Sequence, residues 1–130
     1  MKRITKTSEL TYNNVIGRIK VYLEANTPFF FGAKIVHRYA VPRRILFNSQ
    51  DPDLSQDWGD YFNYQIYRAT IACIDYQRAI VGYKIEPYGH YCVSQCYTTK
   101  DLLNAVKHAK KHKQTYIIDL RTGKLIDTNG

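Results

Sequence analysis

The stretch Thr99–Asp127, TKDLLNAVKHAKKHKQTYIIDLRTGKLID, decides the fold. Thr99 is a helix-capping residue type, and Asp101 places a carboxylate in the first turn, where the helix dipole favours it. Leu102, Leu103, Val106 and Ala109 recur at helical spacing. Lys107, Lys110, Lys111 and Lys113 crowd the far end, which suits the negative pole of the dipole. The spacing predicts a helix from Lys100 to Lys113 and then a strand over Gln114–Leu120. Arg121-Thr122-Gly123-Lys124 reads as a turn in which Gly123 supplies a positive φ, and Leu125–Asp127 returns. Strand, helix and hairpin in succession specify an α+β chain. The expectation is a single small domain over residues 1–130, with a mainly antiparallel sheet packed by two or three helices.

Working back from this segment, Tyr83–Glu86 and Tyr91–Tyr97 read as strands around the turn Pro87-Tyr88-Gly89-His90. Tyr61–Val81 is the longest periodic stretch. Phe62, Ile66, Ala69, Cys73, Tyr76 and Ile80 form one helical stripe, with Asp60 as its cap and Gly82 as its stop. A hairpin is the rival, because YRATIACI also suits a strand. The preceding QDPDLSQDWGD reads as an acidic loop. Phe29–Val41 is extended and stops before Pro42, which disfavours helical geometry at Val41; Ile45–Phe47 continues a strand. Residues 12–24 satisfy two periods. Gly17 and the β-branched run favour a strand, whereas length and a Ser8 cap favour a helix, the reading adopted.

The chain carries 19 Lys+Arg against 11 Asp+Glu, a formal charge of +8, together with 12 tyrosines. Ammonium and guanidinium groups neutralise phosphates, and flat rings stack on bases, so this pairing leans toward an anionic polymer. With 45% hydrophobic and 14% aromatic residues the chain is able to bury a core and does not resemble a disordered one. No apolar run approaches the ~18 residues of a membrane span, and the basic start has no apolar segment behind it, as a secretory signal would. An odd set of cysteines, Cys73, Cys92 and Cys96, suits a reducing compartment. The expectation is a soluble, intracellular, cytoplasmic protein without a cofactor and without a membrane partner.

The residues of several familiar chemistries are present only in part. Cys92, Cys96, His108 and His112 give C-x3-C-x11-H-x3-H, close to the arithmetic of a two-cysteine, two-histidine zinc finger. The faces argue against a zinc site. At ~100° per residue His108 and His112 point away from the stripe of Leu102, Leu103, Val106 and Ala109. In a straight strand Cys92 and Cys96 lie about 13 Å apart. Asp51-Pro-Asp53-Leu-Ser55-Gln-Asp57 opens like a calcium loop, but Gln56 stands where glycine is wanted and Phe62 where a glutamate belongs. Lys84-Ile-Glu86 reverses the usual nuclease order, and Arg121-Thr-Gly-Lys124 is only a fragment of a phosphate loop. His37 and His90 are triad candidates by residue type alone. No catalytic residue is assigned.

Three basic clusters carry the binding reading: Lys2, Arg3, Lys6, Arg18 and Lys20; Lys34, Arg38, Arg43 and Arg44; and Lys107, Lys110, Lys111 and Lys113. Within HRYAVPRR, arginine forks grip phosphate at two points, and Tyr39 is placed to stack. The candidate interface is therefore Arg38, Tyr39, Arg43, Arg44, Lys107, Lys110, Lys111 and Lys113. The expected partner is nucleic acid, DNA or RNA. The alternative is an acidic protein surface met by an inhibitor or adaptor of the kind phages and mobile elements encode, with Trp58 and Phe29–Phe31 as anchors if exposed. Either reading requires clusters distant in sequence to meet in space.

Overall fold

The structure, a computed structural model, describes residues 1–4, 12–25, 27–34, 36–50, 64, 68, 78–85 and 89–128. Its elements are β1 (Lys2–Ile4), α1 (Tyr12–Glu24), β2 (Phe29–Gly32), β3 (Tyr39–Asn48), β4 (Arg78–Ile85), β5 (His90–Thr99), α2 (Leu102–Lys111), β6 (Tyr116–Asp119) and β7 (Leu125–Asp127). The seven strands form one sheet in the order β1-β2-β4-β5-β3-β6-β7. β1 joins β2 in parallel, and the other neighbours are antiparallel.

This architecture corrects the expected one. Among the described residues strand outweighs helix, and the sheet is a curled, mixed half-barrel rather than a mainly antiparallel layer packed by helices. The curl is legible in the packing. One buried cluster unites Phe30 of β2 with Ile118 of β6, together with Val81, Tyr83, Cys92 and Cys96 from the strands between them. There Tyr83 of β4 reaches Tyr116 of β6 across two intervening strands, with ring centres 5.9 Å apart, a contact that requires the inner face to curl toward itself. Near the two edges the Met1 ammonium donates to the Arg121 carbonyl at 3.4 Å. A Cβ at Gly123 would lie 3.5 Å from the end of the Met1 side chain. Buried hydroxyls on the inner face satisfy one another: Tyr83 OH lies 2.9 Å from both Ser94 Oγ and Tyr116 OH.

Helices α1 and α2 cover the outer face. Ile19 and Leu23 of α1 pack with Ile4, Phe29, Phe31, Leu46, Ile80, Tyr91 and Val93. Ala105 and Ala109 of α2 pack with Val41 and Ile117, flanked by Tyr39, Tyr97 and Val106. Residues 12–24 are thus a helix, and its spacing decides what is buried: Ile19 and Leu23 are inside, while Val21 is 64% exposed. Strand β4 begins at Arg78, so the last residues of the predicted 61–81 helix are strand. Ala79 and Val81 face the inner cluster and Ile80 the outer one. Apolar residues on both faces erase the alternation by which a strand is recognised.

Strand β3 runs through Pro42 instead of breaking there. Its register with β5 passes from Pro42↔Cys96 to Arg44↔Gln95, leaving Arg43 as an inserted residue. A bulge is one of the few places in a sheet that tolerates proline, which has no N–H to give the ladder. Tyr64 and Arg68 are both helical, and the Arg68 guanidinium lies 5.7 Å from the Tyr64 ring centre. The rest of the predicted helix up to residue 77 lies outside the described residues. So do the acidic loop with its calcium-like opening, Trp58, Cys73, Lys6, Ser8 and Glu86. Among the described residues no helix is long and apolar enough to cross a membrane.

Candidate nucleic-acid interface

The site is built where α2 lies across β3 and β5. The helix is capped by Asp101, not Thr99: the Asp101 carboxylate accepts from the Leu103 N–H at 3.0 Å. Thr99 supports that cap from outside, its hydroxyl accepting from Asp101 N–H at 3.3 Å and from the Asn104 amide at 3.1 Å. At the other end Lys113 N–H reaches the Lys110 carbonyl and Gln114 N–H the Ala109 carbonyl. Lys113 itself sits at φ 59, in the left-handed region where this closure usually places glycine.

The buried face of α2 differs from the predicted stripe. Ala105 and Ala109 are fully buried, whereas Leu103 is 79% and Leu102 41% exposed. The helix has turned so that His108 meets the sheet. Its ring stacks on Tyr97 with centres 4.0 Å apart and planes 15° from parallel, and the His112 ring follows at 4.6 Å. Arg43 Nη1 donates to His108 Nε2 at 3.0 Å. A guanidinium has no acceptor, so His108 is neutral here, with its proton on Nδ1. Burial holds the His108 pKa below the usual histidine range, assisted by the charges of His112, Arg43 and Lys111. Desolvation, Arg43 and Lys111 depress His112 in the same direction.

Arg43 and Lys111 therefore act on the same two rings, and the basic strand meets the basic helix. Beside this meeting point is a cavity of about 320 Å³ lined by Arg43, Arg44, Arg78, Gln95, Cys96 and Tyr97. Lys107 and Lys110 stand exposed on α2. No ion pair to Lys107, Lys110, Lys111 or Lys113 occurs among the described residues.

Two of the residues singled out in the sequence take other roles. Arg38 forms an ion pair with Asp119, Nη2 to Oδ2 at 3.1 Å, and its guanidinium lies 5.5 Å from the Tyr39 ring centre. Burial pushes the Asp119 carboxyl up, but the bonds from Arg38 and the Arg121 N–H outweigh it and leave the pKa lowered. Arg38 thus ties the start of β3 to the end of β6, and Tyr39 packs against the α2 core. The N-terminal cluster is elsewhere. Arg3 covers Phe30 at 4.6 Å and donates to the Ala33 carbonyl, and with Arg18 it lines a separate cavity of about 240 Å³. Phe29–Phe31 are core, which removes them as anchors.

The zinc constellation is split by the sheet. Cys92 and Cys96 belong to the inner cluster, and His108 lies on the outer face against Tyr97. Burial pushes the Cys92 thiol up to about 11, away from the thiolate a metal needs. Among the described residues no group of three or more His, Cys, Asp or Glu could hold a metal ion. His37 Nδ1 lies 2.8 Å from the Thr98 hydroxyl. The Arg121–Lys124 fragment is the β6–β7 turn, closed by Gly123 N–H to the Asp119 carbonyl at 2.7 Å.

Sequence reasoning missed Arg78 and Gln95. Arg78 lies opposite Tyr97 in the β4–β5 register, so both present to the same face. The signal is hidden because RAIV also completes the helical stripe that runs from Phe62 to Ile80. No protein-family model, no curated protein and no solved structure matches this chain.

Proposed function

We propose that this protein is a small, non-catalytic nucleic-acid-binding protein. Its contact surface centres on Arg43, Arg44, Lys107, Lys110 and Lys111, with the Tyr97–His108–His112 column beside them. The observation that carries this reading is the Arg43–His108 hydrogen bond, which joins basic groups 65 positions apart in the chain. Cations gathered on one surface give a phosphate backbone several simultaneous contacts, and stacked rings beside them suit bases. Arg38 and Tyr39 are reassigned to holding the fold.

The test is a salt titration of binding to random single- and double-stranded oligonucleotides. Affinity falls steeply with salt, and replacing Lys110 and Lys111 together by alanine flattens the log–log slope by up to about 2, since each phosphate contact contributes ~0.7–0.9. Arg38→Ala lowers stability and leaves the slope unchanged. No binding at low salt rejects the reading. The rival, an acidic protein surface, has the exposed Leu102 and Leu103 in its favour, because apolar groups beside cations suit a protein partner.

A further inference from the structure

We propose that the cleft ringed by Arg43, Arg44 and Arg78 is a seat for a terminal phosphate monoester, the phosphorylated end of a nucleic acid or a free nucleotide. The proposal rests on the nucleic-acid reading for its choice of ligand, but not for its geometry.

The cleft follows from how the outer face is divided. α1 covers the core around Phe29, Ile80 and Val93, and α2 covers the core around Val41 and Ile117. Gln95 continues the outward alternation of Tyr91 and Val93 toward Tyr97. Arg44 pairs with Gln95 and Arg78 with Tyr97, so polar side chains take the positions between the two cores. Consecutive residues of a regular strand point to opposite faces. Arg43 and Arg44 line one cavity because the bulge inserts Arg43 into β3. Arg78 approaches from β4, two strands away, about 10 Å across the sheet and within reach of long side chains.

Arginines lining one concavity define the charge and shape of the occupant, and Arg43 and Arg78 supply the donors. Each is permanently charged and forked, and Arg43 is oriented by His108 while retaining further N–H donors. A phosphate monoester carries about −1.5 to −2 at neutral pH and three acceptor oxygens, whereas an internal diester carries a single charge. A diester would also have to lead both flanking nucleotides out of the cleft, while an end needs only one exit. Among the described residues Arg78 makes no side-chain hydrogen bond or ion pair, so it brings its full donor set. Aromatic rings adjoin the cleft, Tyr97 stacked on His108 and His112 tilted 47° at the end of that row. A base would extend the row from its His112 end, which favours a nucleotide over a phosphopeptide.

The experiment compares oligonucleotides of one sequence with a 5′ phosphate, a 3′ phosphate or neither, at physiological salt, alongside a nucleoside, its monophosphate and inorganic phosphate. One phosphorylated end is expected to bind roughly tenfold more tightly than the bare end, the size of one added charge-assisted contact. Arg78→Gln abolishes that preference and leaves residual binding, and Arg78→Lys, which keeps the charge without the fork, recovers only part of it. Monophosphate competing as well as the phosphorylated oligonucleotide assigns the seat to free nucleotides; the reverse assigns it to strand ends. Equal affinity for phosphorylated and bare ends, or a preference that survives Arg78→Gln, overturns the proposal. If no oligonucleotide binds, the nucleic-acid reading falls alone. Phosphate and monophosphate then decide this inference by whether they perturb the Arg78 side-chain resonance. A phosphopeptide that outcompetes every nucleotide also overturns it.

Discussion

Arg38 and Arg43 lie in one short run, HRYAVPRR, and the sequence offers no way to rank them. Their fates differ because of partners far along the chain: Asp119 claims Arg38, and His108 orients Arg43. Only tertiary structure supplies that distinction. The histidines carry a prediction at this scale. His108 and His112 both titrate below the usual range, chiefly through burial and then through Arg43 and Lys111. His37 is depressed likewise, by burial, Lys34 and Lys100. The folded values lie below the unfolded one, so the unfolded chain binds more protons as pH falls through roughly 6.5, and stability is lost there. On the proposed reading a bound phosphate would oppose the depression at His112, so binding would take up protons there, while His108 stays neutral as the acceptor of the Arg43 bond. Unfolding midpoints should drop between about pH 7.5 and 5.5, while oligonucleotide affinity at fixed salt rises over the same interval. Affinity that stays flat or declines would remove the ring column from the binding surface.

At the scale of elements, the C-terminal third was the most legible. β6, the turn and β7 lie where hydrophobic runs and Gly123 put them, and α2 is shorter by a turn's fraction at each end. The helix face was misjudged because leucine drew the stripe. The sheet beneath α2 is approached closely only by small side chains, so Ala105 and Ala109 are inside and Leu103 is outside. Strand β4 was obscured by having apolar residues on both faces. The end of α2 holds a second prediction. Lys113 is a non-glycine residue in the left-handed region, which costs about 1 kcal/mol or more for an L-residue. Lys113→Gly should raise unfolding free energy by about 1 kcal/mol, read as a higher denaturant midpoint, and should flatten the salt slope of binding by up to ~0.9. A stabilised variant with an unchanged slope would place Lys113 outside the interface and leave its backbone conformation without a functional counterpart.

Across the whole molecule, closure of the sheet was not readable from local pattern. The order β1-β2-β4-β5-β3-β6-β7 depends on pairings between strands distant in sequence, and the curl on side chains that meet only inside the half-barrel. The same topology sorts the positive charge. It joins the β3 and α2 clusters on the outer face and leaves β1, with Arg3, at the far edge of the sheet. Charge composition alone gives only a total; the fold gathers part of it around Arg43 and α2 and leaves a separate remainder. That division is the centre of this account, and a nuclear magnetic resonance titration of labelled protein with an oligonucleotide tests it most directly. The account predicts shifts concentrated at Arg43, Arg44, Arg78, Tyr97 and Lys107–Lys113, with Lys2–Ile4 and Arg38 unmoved. Shifts centred on β1 and α1, or spread evenly over every cationic residue, would contradict it.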